Sequence, residues 1–254
     1  MPADLRIAID GAVATVALAR PEKRNAVNER LVSQIGAFFD EPPSEVRAAV
    51  LVGDGEHFCA GLDLDEMSRR SPFEAMEHSR LWHRMFEIIE HGTVPVVAAV
   101  HGAVIGGGLE LALTAHVRVA DPSAFFALPE GRLGIYVGGG ATVRVARVAG
   151  PDRMREMMLT GRRLDAEEGT RLGFAHEIAE DARARAHELA EQIAANAPLL
   201  NRLVMTAPVR VSDMAAADGY WAEALTAGMS GTTEDAAEGM RAFLEKRAPD
   251  FKGR

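Results

Sequence analysis

Three consecutive glycines followed by a glutamate mark the part of this sequence best suited to chemistry. The glycines occupy residues 106–108, between a predicted buried strand over residues 96–100 and a predicted helix over residues 109–116. Each glycine at a helix start costs about 1 kcal/mol relative to alanine, so the bare backbone needs a reason. Amides at a helix N-terminus are unpaired and partly positive, and without side chains they let a developing anion approach. Glu110, in the first helical turn, adds a carboxylate that can transfer protons.

A purely structural interpretation of the same segment also remains open. Glycines allow a helix and a strand to pack closely, and an acidic residue in the first turn complements the helix dipole. On its own, the segment does not distinguish this interpretation from an anion-stabilising site with a neighbouring carboxylate.

A second small-residue turn precedes this segment. Residues 57–67, HFCAGLDLDEM, enter the turn Ala60–Gly61 and leave as a predicted helix start that carries Asp63 and Asp65. The amide of Leu62 would be exposed at this turn in the same way as the amides of the glycine triplet. The pattern therefore predicts a second backbone donor.

Three other interpretations compete for the same turn: a metal site, a nucleophile and an ordinary turn. His57, Cys59 and Asp63 are metal-ligand types, but their spacing matches no recurrent metal-binding pattern. A nucleophilic cysteine would need a base, and the sequence shows none as its partner. We therefore expect no metal at this site.

A second acidic residue follows a strand end in residues 128–140, LPEGRLGIYVGGG. Glu130 lies next to Pro129 and is either a plain loop acid or the second carboxylate of a pair. The closing glycines, residues 138–140, precede a predicted helix over residues 141–148. Neither glycine cluster is a phosphate loop, because the first lacks the Lys-Ser/Thr of the nucleotide type and the second lacks the third glycine of the dinucleotide type.

The elements that would position these groups follow from the hydrophobic pattern. A hairpin with Gly11 in its turn begins the chain, Asn28 caps the first helix, and no internal repeat or low-complexity linker interrupts the sequence. The predicted strands cover residues 5–10, 12–19, 47–52, 96–100, 117–121 and 124–127. The predicted helices cover residues 29–39, 72–91, 109–116, 141–148, 181–196, 198–206, 213–228 and 233–246. Such a mixture is typical of an α/β domain.

Length and composition limit the classes of protein and partner. The 254 residues are 48% apolar, and no apolar run reaches the roughly 18 residues needed to cross a bilayer. The formal net charge of −9 argues against sequence-independent nucleic-acid binding, which relies on a basic surface. The single cysteine cannot form an internal disulfide and the N-terminal segment lacks the pattern of an export signal, so we expect a cytoplasmic location.

Several polar or aromatic residues receive no catalytic role from the pattern. Lys23 and Arg24 lie in a basic loop and are expected to be solvated charges, although they could also meet an anionic ligand. His78, Trp82 and His83 lie on one predicted helix and are interpreted as packing or surface residues that could also line a pocket.

Four separated segments, taken together, resemble the crotonase superfamily, the enoyl-CoA hydratase/isomerase family. They are HFCAGLDLDEM at residues 57–67, HGAVIGGGLELA at residues 101–112, LPEGRLGIYVGGG at residues 128–140 and EGMRAFLEKRAPDFKGR at residues 238–254. Each motif alone is weak, but their order and spacing fit over essentially the full chain. The resemblance implies an α/β fold, with a crotonase-like spiral of repeated ββα units over residues 1–195. It also implies a C-terminal helical region, residues 196–254, that forms trimers, often paired into hexamers.

The resemblance also implies roles for single residues. The two oxyanion-hole amides fall on Leu62 and Gly107, where they would bind the thioester carbonyl of an acyl-CoA. The two glutamates used by true hydratases fall on Glu110 and Glu130. The residues implied to bind substrate are Lys23, Arg24, Ala60, Gly138, Phe243 and Lys246. This chemistry requires no metal and no cofactor beyond the coenzyme A of the substrate.

Two departures from the family pattern bear on the substrate. Asp65 stands where some hydratases carry a lysine that contacts CoA, which implies weaker nucleotide binding or the use of Lys23 and Arg24 instead. Val137 replaces a proline that is common before Gly138, so the resemblance does not fix the shape of the acyl pocket.

The expected function is that of an enoyl-CoA hydratase-like lyase, which adds water reversibly to a 2-enoyl-CoA through an oxyanion hole and two glutamates. The alternatives are an enoyl-CoA isomerase, another crotonase-type acyl-CoA enzyme, and a non-catalytic member that binds CoA or RNA. Acids at both residue 110 and residue 130 favour hydration, because an isomerase can work with one main carboxylate. The sequence does not specify the acyl chain.

Overall fold

Two β-sheets form the frame of the fold in this computed structural model, which describes residues 4–66 and 70–254. Within those ranges the strands are β1 Leu5–Asp10, β2 Val13–Leu18, β3 Ala48–Gly53, β4 Val96–Val100, β5 Ala103–Ile105, β6 Val117–Ala120, β7 Phe125–Ala127, β8 Leu164–Asp165 and β9 Glu177–Ile178. The larger sheet has the strand order β1-β2-β3-β4-β6-β9, and the smaller sheet has the order β5-β7-β8. The chain is thus an α/β protein, as expected.

The larger sheet begins with the predicted hairpin and continues as a parallel sheet. β1 and β2 are antiparallel, and Gly11 in their turn has a φ of +56°. β2, β3, β4, β6 and β9 then pair in parallel. Both faces of such a sheet are covered, which explains why all six residues of β3 are apolar or glycine and buried.

Successive turns of the chain contribute to both sheets. After β4 the chain passes into β5, after β6 it passes into β7, and β5 and β7 pair in parallel. Isolated parallel bridges between Cys59 and Val104 and between Val27 and Leu62 extend this pairing to the earlier turns. The result is the spiral of ββα units that the resemblance implies, and it places residues of neighbouring turns side by side.

Ten α-helices complete the described part of the chain. They are α1 Glu29–Asp40, α2 Pro72–His91, α3 Gly107–Ala112, α4 Ala141–Ala149, α5 Pro151–Thr160, α6 Ala166–Arg171, α7 Ala182–Ala194, α8 Pro198–Ser212, α9 Ala216–Gly231 and α10 Glu234–Glu245. Local signals set their starts. The Asn28 side chain accepts a hydrogen bond from the Leu31 N–H at α1, and Ser71 and Glu74 form a reciprocal capping box at α2. None of the helices in the described ranges is both long and apolar enough to cross a membrane.

The larger sheet separates two apolar layers. The main core includes Leu51 of β3 together with Trp82 and Phe86 of α2. On the other side, α7 packs against Val50 and Val97 through an alanine at every fourth position. These alanines are Ala182, Ala186, Ala190 and Ala194. Their small side chains let the helix lie close to the sheet.

The structure corrects the bounds of the helix that follows the glycine triplet. α3 begins at Gly107, two residues before the predicted start, and ends at Ala112 rather than at His116. The Thr114 N–H and hydroxyl both donate to the Leu111 carbonyl, and this tighter turn ends the helix.

Other elements also differ from the prediction. α8 does not end at Thr206 as predicted but continues through Pro208 to Ser212. A proline removes only one helical hydrogen bond, and packing against α9 stabilises the rest of the helix. The hydrophobic pattern does not identify α5 and α6. The helix predicted after Gly61 is a 3-10 turn, Leu64–Glu66, and its predicted continuation at Met67 lies outside the described residues.

The C-terminal helices expose large apolar side chains. Tyr220 and Trp221 on α9 are 73% and 68% exposed, and Phe243 on α10 is 83% exposed. Single exposed apolar residues are common, but a concentration of them on consecutive helices is typical of an interaction surface.

Candidate active site

Two backbone amides without an acceptor lie where neighbouring turns of the spiral touch. The Val27 N–H donates to the Gly61 carbonyl at 2.8 Å, and the Asp63 N–H donates to the Val27 carbonyl at 2.9 Å. This parallel pairing uses one edge of the segment and directs the N–H of the intervening Leu62 toward the other edge. Gly107 is the first residue of α3, so its N–H has no partner within the helix. Among the described residues, neither amide donates a hydrogen bond.

Gly61 allows the two amides to come together. Its φ is +99°, and a Cβ at this position would lie 2.8 Å from the Ile105 carbonyl oxygen and 3.6 Å from the Gly107 nitrogen. The glycine therefore lets the two spiral turns touch, with the Leu62 and Gly107 amides on adjacent turns. Two convergent donors of this kind can stabilise one oxygen that gains negative charge.

Two of the glycines at residues 106–108 have distinct structural reasons. A Cβ at Gly106 would collide with Oε1 of Glu130. A Cβ at Gly108 would collide with the carbonyl oxygen of Cys59. The close-packing interpretation therefore holds for Gly108, and Gly106 opens space beside a carboxylate. The stabilisation of an anion by the amides stays a prediction.

Glu110 is buried and firmly held. It is 3% exposed, and its Oε1 accepts hydrogen bonds from the N–H groups of Gly139 at 2.8 Å and Ala141 at 2.9 Å. These amides lie at the N-terminus of α4, so the carboxylate occupies the anion site that this nine-residue helix provides. Burial raises the pKa of Glu110, while the two amides and the Arg144 guanidinium oppose that rise.

Glu130 is buried but much less constrained. It follows Pro129 at the start of a 3-10 turn and is 8% exposed. Its Oε1 lies beside Gly106, and its Oε2 has no hydrogen-bond partner among the described residues. Burial, with a smaller contribution from the charge of Glu110, raises the pKa of Glu130 to about 7. This carboxyl group can therefore exchange a proton near neutral pH.

One cavity of about 430 Å³ connects these groups. Leu62, Gly107, Glu110 and Glu130 all line it, and so does Gly138. Its volume is within the range of small-molecule sites. The structure thus brings together five of the residues that the sequence analysis singles out, although they are up to 76 positions apart in the chain (138 − 62).

Helix α2 supplies a wall of the cavity that the sequence analysis leaves without a role. Ala75, His78, Ser79 and Trp82 line it from one face of the helix. The Ser79 hydroxyl donates to the Gly138 carbonyl at 2.6 Å and so fixes the opposite loop. His78 and Trp82 thus line a pocket, as the sequence analysis allowed. Helical spacing shows that these side chains share a face, but it cannot show what that face meets.

Polar groups at the start of α2 line the same cavity. Arg70 Nη2 and His78 Nε2 lie 3.0 and 3.4 Å from Oε1 of Glu29, respectively. Burial, followed by the positive charge of Arg70, lowers the pKa of His78. The imidazole is therefore neutral at pH 7, and among the described residues Arg70 is the cationic group that lines this wall.

The basic loop lies next to the Leu62 segment but is already engaged. Lys23 Nζ lies 3.0 Å from Asp63 Oδ2 and 3.2 Å from Asp65 Oδ2. Arg20 Nη2 lies 2.7 Å from the same Asp63 oxygen and anchors the residue that follows Leu62. Burial disfavours the ionised form of Asp63, but Arg20 and Lys23 outweigh it and hold the pKa of Asp63 below its usual value. Lys23 could therefore bind an anionic ligand only if its ammonium group were shared between that ligand and these carboxylates.

The remaining predicted substrate-binding residues are outside the cavity wall as far as the described residues define it. Arg24 is exposed with a φ of 52°, and its carbonyl accepts a hydrogen bond from the Ala60 N–H at 2.9 Å. Phe243 lies near the end of α10, and Lys246 caps that helix in the left-handed conformation. Their role in substrate binding remains a prediction.

The side chains considered for a metal site or a nucleophile have other partners. His57 Nδ1 accepts a hydrogen bond from the Ala103 N–H at 3.2 Å, and Asp63 pairs with Arg20. Cys59 is buried, and burial raises its pKa to about 12, so it is not a thiolate near neutral pH. In the described part of the chain, no three His, Cys, Asp or Glu residues form a group that could hold a metal ion.

Comparison with known proteins finds relatives over nearly the whole chain. The family model for enoyl-CoA hydratase/isomerase matches residues 8–254. The short-chain-enoyl-CoA hydratase of Clostridium acetobutylicum is 34% identical over 253 aligned positions, which cover 96% of each chain. The carnitinyl-CoA dehydratase of Proteus mirabilis is 34% identical over 267 aligned positions, which cover 100% of each chain. A solved structure from Rhodopseudomonas palustris, provisionally named an enoyl-CoA hydratase, is 44% identical with a TM-score of 0.94, covering 96% of this chain and 95% of that chain.

Proposed function

This chain belongs to the enoyl-CoA hydratase/isomerase family, and on that premise we propose that its cavity adds water reversibly to a 2-enoyl-CoA thioester. The observation that carries the proposal is one cavity lined by two unpaired amides and two glutamates that are held differently. Hydration needs such a set, because it requires stabilisation of one developing charge and two proton transfers.

In this proposal, the amides of Leu62 and Gly107 bind the thioester oxygen of the substrate. When the water oxygen attacks Cβ, electron density moves through Cα onto that oxygen and gives an enolate-like transition state. Donors already in place at such an oxygen are each worth about 10²- to 10³-fold in rate. The parallel pairing with Val27 and the start of α3 support this role, because they hold both amides without occupying them.

The two glutamates are proposed to transfer the protons. Oε1 of Glu110 is held by two amides, which leaves Oε2 to orient and deprotonate the water. Glu130, whose pKa is about 7, carries a proton near neutral pH and can give it to Cα. The step balances, because the water oxygen bonds to Cβ, a water proton passes to Glu110 and the proton of Glu130 passes to Cα. The pair therefore holds one proton before and after the reaction.

We also propose how the CoA end of the substrate is bound, how the protein assembles and where it is located. No resident cofactor takes part, since the coenzyme A belongs to the substrate. Lys23 and Arg24, with Phe243 and Lys246 from a neighbouring copy, would hold the nucleotide end. The exposed apolar side chains of α8 to α10 support assembly of residues 196–254 into trimers that pair as hexamers. A single buried cysteine suits the reducing cytoplasm.

The test is an assay of the conjugated enoyl-thioester absorbance with crotonyl-CoA and longer 2-enoyl-CoAs. The parent protein is expected to remove this absorbance, and Glu110→Gln and Glu130→Gln to lower kcat by about 10²- to 10⁴-fold each. Glu77→Gln, an exposed change on α2, is the matched control and is expected to behave like the parent.

A parent protein that binds these thioesters but hydrates none of them would contradict the proposed reaction. Conversion of 3-enoyl-CoA to 2-enoyl-CoA by the same preparation would then indicate an isomerase. Binding without turnover of either substrate would indicate a non-catalytic member of the family.

A further inference from the structure

Behind the loop that holds Glu110 lies an ion pair that the proposed reaction does not use. Arg144 on α4 and Glu90 in the last full turn of α2 have side chains that are only 10% and 19% exposed. Arg144 Nε and Nη2 lie 2.8 and 2.6 Å from Glu90 Oε2. Neither residue is among the described residues that line the cavity. The desolvation of two charges offsets much of their attraction, so stability alone is a weak reason for such a pair.

The remaining guanidinium nitrogen of Arg144, Nη1, faces the loop around Glu110. Arg144 Nη1 donates to the Gly139 carbonyl at 3.0 Å, and the N–H of the same glycine donates to Glu110 at 2.8 Å. A side chain at Gly140 would collide with the guanidinium, so Arg144 lies directly against the loop. A single glycine therefore connects the ion pair to the carboxylate.

Glu90 is a fixed anchor for Arg144. The Glu90 carbonyl accepts a hydrogen bond from His116 Nε2 at 3.1 Å, and His116 Nδ1 accepts one from the Val96 N–H at 3.0 Å. The backbone of Glu90 is thereby tied to the start of β4. The carboxylate that binds Arg144 thus belongs to a helix end that is tied to the core, and not to the loop that Arg144 contacts.

Arg144 also brings a positive charge toward Glu110. The charged group that faces Glu110 from the opposite 3-10 turn is Glu130, and Arg70 and neutral His78 line the same cavity from the start of α2. The charge of Arg144 favours ionised Glu110, whereas burial disfavours it and raises the pKa. Because Glu90 partly neutralises Arg144, the two members of the ion pair should shift the pKa of Glu110 in opposite directions: Arg144 lowers it and Glu90 raises it.

From this geometry we propose that Arg144 is a positioning residue that holds Glu110 in place and ionised through the loop 139–141, while Glu90 moderates its charge. The proposal rests on the proposed catalytic role of Glu110. It adds a residue that touches neither substrate nor water and acts only through the carboxylate.

The test compares three variants with a matched control. Arg144→Gln is expected to lower kcat about tenfold with little change in KM, and to move the acid limb of the kcat/KM profile up by about one pH unit. Arg144→Lys retains the charge, so the acid limb stays while kcat falls through the lost contact with Gly139. Glu90→Gln is expected to move the acid limb down. Arg147→Gln is the control, because Arg147 lies on the same helix, is 47% exposed and pairs with Asp213 at the surface.

A second readout follows Glu110 without turnover. The infrared carboxyl band of Glu110 is the one that Glu110→Gln removes, and its titration should move with the acid limb in each variant. Opposite shifts in Arg144→Gln and Glu90→Gln would support the proposal, because a merely structural role gives no such signs. If Arg144→Gln does not fold, as circular dichroism would show, Arg144→Lys and Glu90→Gln carry the test.

Two outcomes separate this proposal from the proposed function. If the variants change only the thermal midpoint, while the band and the acid limb stay at the parent's pH, Arg144 is structural and the proposal is wrong. If the parent hydrates no enoyl-CoA, the proposed function is wrong, and the infrared titration alone decides whether Arg144 controls the ionisation of Glu110.

Discussion

The two glutamates of the cavity illustrate how surroundings can give the same side chain different properties. Glu110 projects from a helix into the N-terminus of α4, and two amides bind its Oε1. Glu130 begins a short 3-10 turn, and its Oε2 has no partner among the described residues. Both are buried, so the difference lies in hydrogen bonding and not in exposure.

This difference separates positioning from proton exchange. A carboxylate that is bound by fixed amides keeps its orientation, and the amides oppose the rise in pKa that burial causes at Glu110. A carboxylate with an unpaired oxygen in a buried site has a raised pKa and readily gives or accepts a proton. Hydration of a double bond needs both properties, and the cavity supplies them from two spiral turns.

Among changes that leave both glutamates in the chain, the largest expected effect comes from displacing the Glu110 carboxylate. In Gly139→Ala, the new Cβ would lie 2.7 Å from Oε2 of Glu110 and would displace the carboxylate. A displacement of about 1 Å in a reacting group can cost about 10²-fold in rate, so we expect a loss of that size in kcat for crotonyl-CoA hydration.

Gly138→Ala is the matched comparison for this prediction. Its Cβ would lie 3.7 Å from the Ser79 hydroxyl oxygen, which is an ordinary contact. Gly138 lines the cavity, so KM can change, but we expect kcat within about threefold of the parent because the two amides still bind Glu110. Equal losses in the two variants would indicate that the loop as a whole, and not the Glu110 contact, determines the rate.

The pH dependence of the reaction should show the contribution of Glu130. If the active pair carries one proton, raising the pH through the pKa of Glu130, about 7, removes it. We expect kcat/KM to fall above that pH, approaching about tenfold per pH unit. Since the reaction neither releases nor takes up a net proton, kcat/KM should fall by the same factor for hydration and for dehydration.

A profile that differs between the two directions would contradict this scheme. In Glu130→Gln, the alkaline limb should disappear from whatever activity remains, whereas it should persist in the exposed control Glu77→Gln. An alkaline limb that survives in Glu130→Gln would indicate another titrating group.

Protein stability should show the smallest effect. The folded-state pKa of Glu130 lies above its ordinary value of 4.5, so its contribution to stability is present below that value and is lost as pH rises through about 7. Glu130→Gln should therefore be more stable than the parent at pH 8, by about 1–3 kcal/mol, and more nearly equal to it at pH 5.

Glu110→Gln provides the contrast when the free energy of unfolding of the parent and of both variants is measured by urea denaturation at pH 5 and pH 8. Its amide oxygen can still accept from Gly139 and Ala141, but the hydrogen bonds lose their charge assistance. The net rise in the pKa of Glu110 still predicts a gain at pH 8, which the lost charge assistance should make smaller than that of Glu130→Gln. A larger gain for Glu110→Gln would reverse the comparison between the two glutamates.

Much of the fold could be predicted because local signals were strong. β4 and α2 have the predicted bounds, since a short apolar run and a capped, amphipathic segment are set by nearby residues. α5 was missed although Pro151 at its start and Gly161 at its end are typical boundary residues. The extension of α8 through Pro208 was missed because packing against another helix outweighed a local signal.

The candidate site was predictable where chemistry is carried by backbone and motif. Leu62, Gly107 and both glutamates were named from glycine-rich turns and from the family resemblance, and one cavity contains them. The engagement of Lys23 by Asp63 was not predictable, because the two residues are 40 positions apart. Contacts across spiral turns require the folded chain.

One measurement tests the central contrast most directly: an NMR pH titration of the glutamate side-chain carboxyl carbons, labelled with ¹³C. Glu110→Gln and Glu130→Gln assign the two signals by their loss. We expect Glu130 in the parent to titrate near pH 7. Titration of Glu130 near the ordinary value of 4.5 would contradict the claim that its unpaired, buried carboxyl exchanges the proton.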